Sequence, residues 1–304
     1  MSSWYFTSAP AKRIAAIRIA VGLFALVYAT VRLPHFADYS KLSSAQFRPI
    51  GIVKLLLSTP LPSAATWAIA LATCVFGAAF VVGKAYRYTG PLFAAGLLWI
   101  TTYASSWGMI FHTDNLLVLH IVVLAAAPAA DVWSWDTRDK AAPDDDARYG
   151  WPLRLMGAVA AGAYFLAGVA KLKNEGITWA TTNFLRDYVA YDAIRKQQLA
   201  SFYSPLGGWL TQYSGIWKPL AGISLIVELG FPLAIFHRRL AQLWSVLAMG
   251  FHLGVLALMM ILFAYPLFGF AFLCFFNVER PAQWIVDRWS KHRPATDEVP
   301  ATAT

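Results

Sequence analysis

Residues 151–172 read WPLRLMGAVAAGAYFLAGVAKL. Nothing between Arg154 and Lys171 is charged. The apolar residues run round the whole helix instead of down one stripe, which leaves no polar face for water. A helix needs about 20 such residues to cross ~30 Å of hydrocarbon, so this stretch reads as a membrane crossing. Working outward, similar blocks occupy 14–31, 64–82, 91–111, 116–130 and 220–236. Residues 243–276 are too long for one crossing and divide near Tyr265-Pro266, where proline disrupts helix bonding. The expected fold is all-α: a polytopic integral membrane helical bundle of about eight transmembrane helices. A long outer loop, 173–219, separates helices five and six, and 51–57 forms an amphipathic piece suited to the interface.

Composition agrees. The 304 residues are 58% hydrophobic and 13% charged, with mean hydropathy +0.52, against about a quarter charged for soluble domains. The net charge of +9 does not imply nucleic acid, because the bases sit mainly between apolar blocks, where they orient helices. Many of the 13 tryptophans fall at block edges, as interfacial belts require. Cys74 and Cys274 each lie inside an apolar block and read as free thiols. No metal spacing occurs, and the acidic run 144–146 lacks the pattern of a calcium loop. The first block contains Arg18 and lacks an Ala-x-Ala exit, so no cleavable leader is expected.

The chain divides into three regions: 1–13 as a cytoplasmic N-terminus, 14–276 as the transmembrane domain, and 277–304 as a cytoplasmic tail disordered at its end. Placing both termini inside puts 14 bases on the cytoplasmic side and 9 outside, with Arg18 and Lys171 within spans. The bias supports that orientation in a plasma (inner) membrane.

Charges inside a membrane are costly and mark candidate sites. Arg18 lies about one turn into the first block and reads either as a snorkelling base or as part of a pocket. Glu228 sits mid-span in 225–232 and requires a proton, a base or water. His120 and His252 read either as hydrogen-bonded core residues or as ligand contacts. Lys171 ends span five. It is either a snorkelling anchor or a lysine in an apolar pocket, which disfavours the ammonium and makes the neutral amine a usable base.

The segment around that lysine, 164–172, resembles the corresponding segment of vitamin K-dependent gamma-glutamyl carboxylase and its bacterial relatives, which share the horizontally transferred transmembrane (HTTM) domain. Arg18-Ile19-Ala20-Val21-Gly22 is similar to the family's Arg-x-x-x-Gly opening. His112-Thr113-Asp114-Asn115 stands where the family has a polar Asn-rich turn. Residues 176–179 resemble the aromatic stretch after the lysine, and Phe251-His252 a late Phe-His pair. The resemblance spans about 18–277.

It implies a membrane enzyme that oxygenates a reduced quinone of the menaquinone or vitamin K type, or a related phenol, with dioxygen. Lys171 is implied as the base that deprotonates the quinol. His252, Glu228, His120, Asn115 and Arg18 are the implied pocket. Epoxidation is coupled, in the carboxylase, to proton abstraction from a substrate carbon, with carbon dioxide as a further co-substrate. The implied partners are the bilayer, a lipophilic quinol and a peptide or small-molecule substrate, with no metal. Three departures qualify this. Ala170 replaces a second lysine. Leu116 replaces a histidine, with His120 a turn on. The sequence has no counterpart of the large lumenal region that docks protein substrates, so carboxylation of a protein is not expected. The competing reading is a non-catalytic accessory or immunity protein for peptide or natural-product maturation. A transporter ranks below both, for want of internal repeats.

Overall fold

The computed structural model describes residues 7–109 and 114–291. The expectations for His112 and Thr113 and for the end of the tail lie outside the described residues. Fourteen α-helices succeed one another in the described residues: α1 (Ala11–Val31), α2 (Leu33–Asp38), α3 (Gly51–Leu56), α4 (Ser63–Val82), α5 (Tyr86–Ser105), α6 (Asn115–Ala126), α7 (Ala147–Glu175), α8 (Thr178–Thr181), α9 (Phe184–Gln198), α10 (Pro205–Leu210), α11 (Trp217–Gly230), α12 (Arg238–Met259), α13 (Ala264–Leu267) and α14 (Glu279–Lys291). Among the described residues the only β-type pairing is a bridge between Ala9 and Asp146.

Among the described residues, five helical segments are long and apolar enough to cross a bilayer: Ala11–Val31, Ser63–Val82, Ala147–Glu175, Ser214–Ile235 and Arg238–Met259. Their surfaces are those of a membrane protein. Val27, Val75, Ile226, Val246 and Leu253 are all more than half exposed, an apolar exterior that water would not tolerate. Inside, hydroxyls that would otherwise be stranded bond back along their own helices. Thr73 donates to the Ile69 carbonyl at 2.8 Å, Thr101 to Leu97 at 2.8 Å and Ser245 to Ala241 at 2.7 Å. Hydrocarbon offers these groups no other partner.

The last apolar block departs from expectation. The break falls at Met260, in the left-handed region with φ 52°, and not at Tyr265-Pro266. Beyond it the chain forms α13 and a 3-10 stretch, Phe270–Phe275. Ala271 and Phe272 are fully buried, so this segment runs through the interior of the bundle rather than along lipid.

The segment 173–219 is polar in sequence but helical in structure. It carries the end of α7 and all of α8, α9 and α10. It is fastened to the end of α12. Lys196 Nζ donates to the Met259 carbonyl at 2.5 Å and is paired with Asp192 at 2.8 Å; Ser204 Oγ donates to the Ala257 carbonyl at 2.5 Å. These donors satisfy carbonyls that the helix end leaves open.

Candidate functional site

The face of α7 decides where the site forms. Tyr164, Gly168 and Lys171 stand four and three residues apart, one above another on one side of the helix. Gly168 matters because a Cβ there would lie 2.8 Å from Leu229 Cδ2 and 3.1 Å from Glu228 Cβ. Its bare backbone lets α7 close on α11 beside the carboxylate. Glu228 is held near the end of α11. Pro232 cannot supply the N–H that the Glu228 carbonyl would take in an α-helix, and the chain tightens to 3-10 form from Phe231.

Lys171 Nζ donates to Glu228 Oε1 at 2.7 Å. The lysine side chain is 21% exposed and the carboxylate side chain 4%. Two rings wall the ammonium: Trp179 of α8, with its centroid 4.8 Å away, and Phe251 of α12, at 5.3 Å. Trp179 is itself fixed, its Nε1 donating to Ser224 Oγ at 3.2 Å. Two turns back along α7, the Tyr164 hydroxyl and His252 Nε2 share a hydrogen bond of 2.7 Å. Tyr164 stacks on Phe231 at 4.5 Å, and Phe263 closes over His252 at 4.9 Å. Two polar atoms are left over, Glu228 Oε2 and His252 Nδ1, both buried without a partner. Buried polar atoms are almost always bonded. Two open acceptor or donor positions beside an ion pair therefore mark a place where a polar ligand group fits.

Three of the six expected site residues thus come together: Lys171, Glu228 and His252. The other three do not. Arg18 neither snorkels nor lines this site. It is fully buried, and it donates to the carbonyls of Ala129 at 3.2 Å, Val81 at 3.3 Å and Trp133 at 2.6 Å. It staples α1 to the end of α4 and to the turn after α6. α1 and α7 start at the same end of the bundle, joined by the Ala9–Asp146 bridge. At about 1.5 Å per residue, Arg18 lies ~10 Å along α1 and Lys171 ~36 Å along α7, so they occupy opposite halves. His120 is fully buried with both ring nitrogens engaged, Nδ1 with the Tyr265 hydroxyl at 2.6 Å and Nε2 with the Met156 carbonyl at 3.1 Å. That is a satisfied core histidine tying α6 to α7 and α13. Asn115 opens α6 and is exposed. Its neighbour Asp114 is the buried one, bonded by the Tyr28 hydroxyl, which in turn is bonded by Arg32.

The sequence pattern of charges passes over Tyr164, although its spacing of seven from Lys171 places it on the same helix face. Ser224, one turn before Glu228, carries the same signal. Among the described residues no group of histidine, cysteine and carboxylate side chains is arranged to hold a metal.

The HTTM domain family model matches residues 6–284. The chain belongs to the HTTM domain family. The match includes every residue of the site and all the helices up to the middle of α14. No curated protein and no solved structure matches this HTTM chain. Its membership and its apolar helices make it a multi-pass membrane protein in contact with a lipid bilayer.

Proposed function

We propose that this HTTM protein is a membrane enzyme of the vitamin K-dependent carboxylase-like kind, which oxygenates a reduced quinone, of menaquinone or vitamin K type, with dioxygen. The observation that carries the reading is the Lys171–Glu228 pair: a lysine hydrogen-bonded to a buried glutamate, walled by aromatic rings and left with one open carboxylate oxygen. A quinol reaches such a site from the bilayer, lies flat against rings such as Trp179 and Phe251, and presents a hydroxyl to the open position.

Lys171 is the base in this scheme. The Lys171 amine accepts a quinol proton, and Glu228, bonded to it, steadies the ammonium that forms. The quinolate then adds dioxygen at a ring carbon. The O–O bond breaks to leave one oxygen in an epoxide, and the other departs as water with the two quinol protons. Quinol plus dioxygen thus give epoxide plus water. His252, oriented by Tyr164 through its Nε2, offers Nδ1 to the second oxygen of the quinol. The alkoxide formed on the way is strong enough to take a proton from a peptide or small-molecule substrate, and carbon dioxide is the electrophile if the resulting carbanion is carboxylated. Exclusion of water by the aromatic walls protects such a base.

The topology we propose has eight crossings, with both termini cytoplasmic and residues 14–276 as the transmembrane domain. Its support is the contact pattern. Arg18, Val81, Ala129 and Trp133 meet at one end of the bundle, and Met259 meets Lys196 at the other.

The test is turnover. Purified protein incubated with reduced menaquinone and oxygen is expected to give menaquinone epoxide by mass spectrometry. Lys171→Ala is expected to abolish it. Lys171→Arg should not restore it, since a guanidinium does not deprotonate. Unchanged turnover in Lys171→Ala overturns the assignment.

A further inference from the structure

A cavity lies at the end of the bundle opposite Lys171, where α1, α7 and α12 begin. It encloses about 160 Å³. Its rim holds three arginines, Arg13, Arg154 and Arg238. Arg13 grips Glu279 with two hydrogen bonds, 2.9 and 2.8 Å. Arg13 and Arg154 are near enough to repel one another. The N-termini of three long helices add partial positive charge at the same end. Arg238 and Arg239 open α12 with no acid in its first turn, a placement that opposes the helix dipole. The floor of the cavity is apolar, with Leu153 and Cys274 buried there, and Phe236 at its edge is 76% exposed. One polar atom in the lining, Asn277 Oδ1, is buried without a partner.

We infer that this cavity binds a phosphate group, supplied by the headgroup of an anionic phospholipid. Arginine guanidinia suit phosphate oxygens because the planar fork bonds two at once. The unpartnered Asn277 oxygen requires a donor, which a headgroup hydroxyl supplies. The apolar floor and Phe236 continue into the bilayer and take the first methylenes of an acyl chain.

The experiment measures the thermal unfolding midpoint of delipidated protein in detergent, after adding phosphatidylglycerol, phosphatidylcholine or inorganic phosphate at matched ionic strength. Phosphatidylglycerol is expected to raise the midpoint by several degrees and phosphatidylcholine not to. Arg238→Gln should remove most of that rise while leaving the lipid-free midpoint unchanged, because Arg238 is exposed. Lys140→Gln, an exposed base at the same end but outside the cavity, should keep it. An equal rise with inorganic phosphate supports phosphate recognition with a soluble source. The inference is overturned if both lipids act alike, if Arg238→Gln and Arg154→Gln each keep the full rise, or if Lys140→Gln loses as much as they do.

Discussion

Arg18 and Lys171 both sit inside this bundle, and they are held differently. Arg18 is fully buried and donates only to backbone carbonyls, those of Val81, Ala129 and Trp133. Those acceptors cannot take a proton, and a guanidinium does not give one up. The arrangement is permanent, and its product is the position of three chain segments. Lys171 is 21% exposed and bonds a carboxylate that can accept its proton. One oxygen of that carboxylate remains open. A buried cation closed by carbonyls is architecture; one paired with a carboxylate and left partly open is equipped to move protons.

The comparison breaks most visibly at Arg18. Arg18→Met leaves three carbonyls with one acceptor position each unfilled, at about 1–3 kcal/mol apiece. The expected loss is about 3 kcal/mol or more, read as a large drop in the detergent unfolding midpoint and in the yield of folded protein. Arg18→Lys should recover only part, because an ammonium lacks the fork that spans separated acceptors. If Arg18→Met folds normally and fails only in turnover, the architectural reading of Arg18 is wrong.

At Lys171 the expected pattern is reversed. Lys171→Ala should cost about 100-fold or more in turnover, the usual worth of a general base, with a smaller drop in the unfolding midpoint than Arg18→Met. Glu228→Gln should also lower turnover. A double substitution should cost no more than Lys171→Ala alone, since the two act as one unit. Additive losses would separate them.

Much of this division is legible in the sequence. The block 151–172 announces a crossing by having charges only near its ends, and Lys171, Glu228 and His252 stand out because hydrocarbon makes ionisable groups expensive. What the sequence does not separate is Arg18 from Lys171, or His120 from His252. Each pair has the same kind of residue within an apolar block. The difference lies in the partners, and those come from remote segments: Ala129 and Trp133 for Arg18, Met156 and Tyr265 for His120. The end of α12 escapes the sequence for a related reason. Proline marks breaks, whereas Met260 reaches its left-handed φ because the chain beyond it turns inward to bury Phe272.

A smaller effect is expected at Tyr164. Tyr164→Phe removes one hydrogen bond to His252, worth about 1 kcal/mol, and should lower turnover about fivefold without unfolding the protein. Tyr164→Phe should then add little to His252→Ala if the tyrosine acts only through the histidine.

The smallest lies outside the membrane, at Glu279. Burial alone would raise its carboxyl; the hydrogen bonds and charge of Arg13, its own backbone N–H and the charge of Arg280 together more than offset this and hold it below the ordinary carboxylate value. A group held low in the fold contributes stability above the ordinary pKa of about 4.3, and that contribution is lost as pH falls through the folded value. The contribution is about 1 kcal/mol or less. Glu279→Gln should flatten the unfolding midpoint between about pH 5 and 3, and an unchanged slope would remove Glu279 from the acid response.

Oxygen tracing tests the Lys171–Glu228 site most directly. With ¹⁸O₂, reduced menaquinone and purified protein, the epoxide should carry one labelled oxygen and the released water the other, and Lys171→Ala should give neither above background. Unlabelled epoxide, or labelled epoxide formed as fast by Lys171→Ala as by the wild type, would contradict a proton-taking role for Lys171.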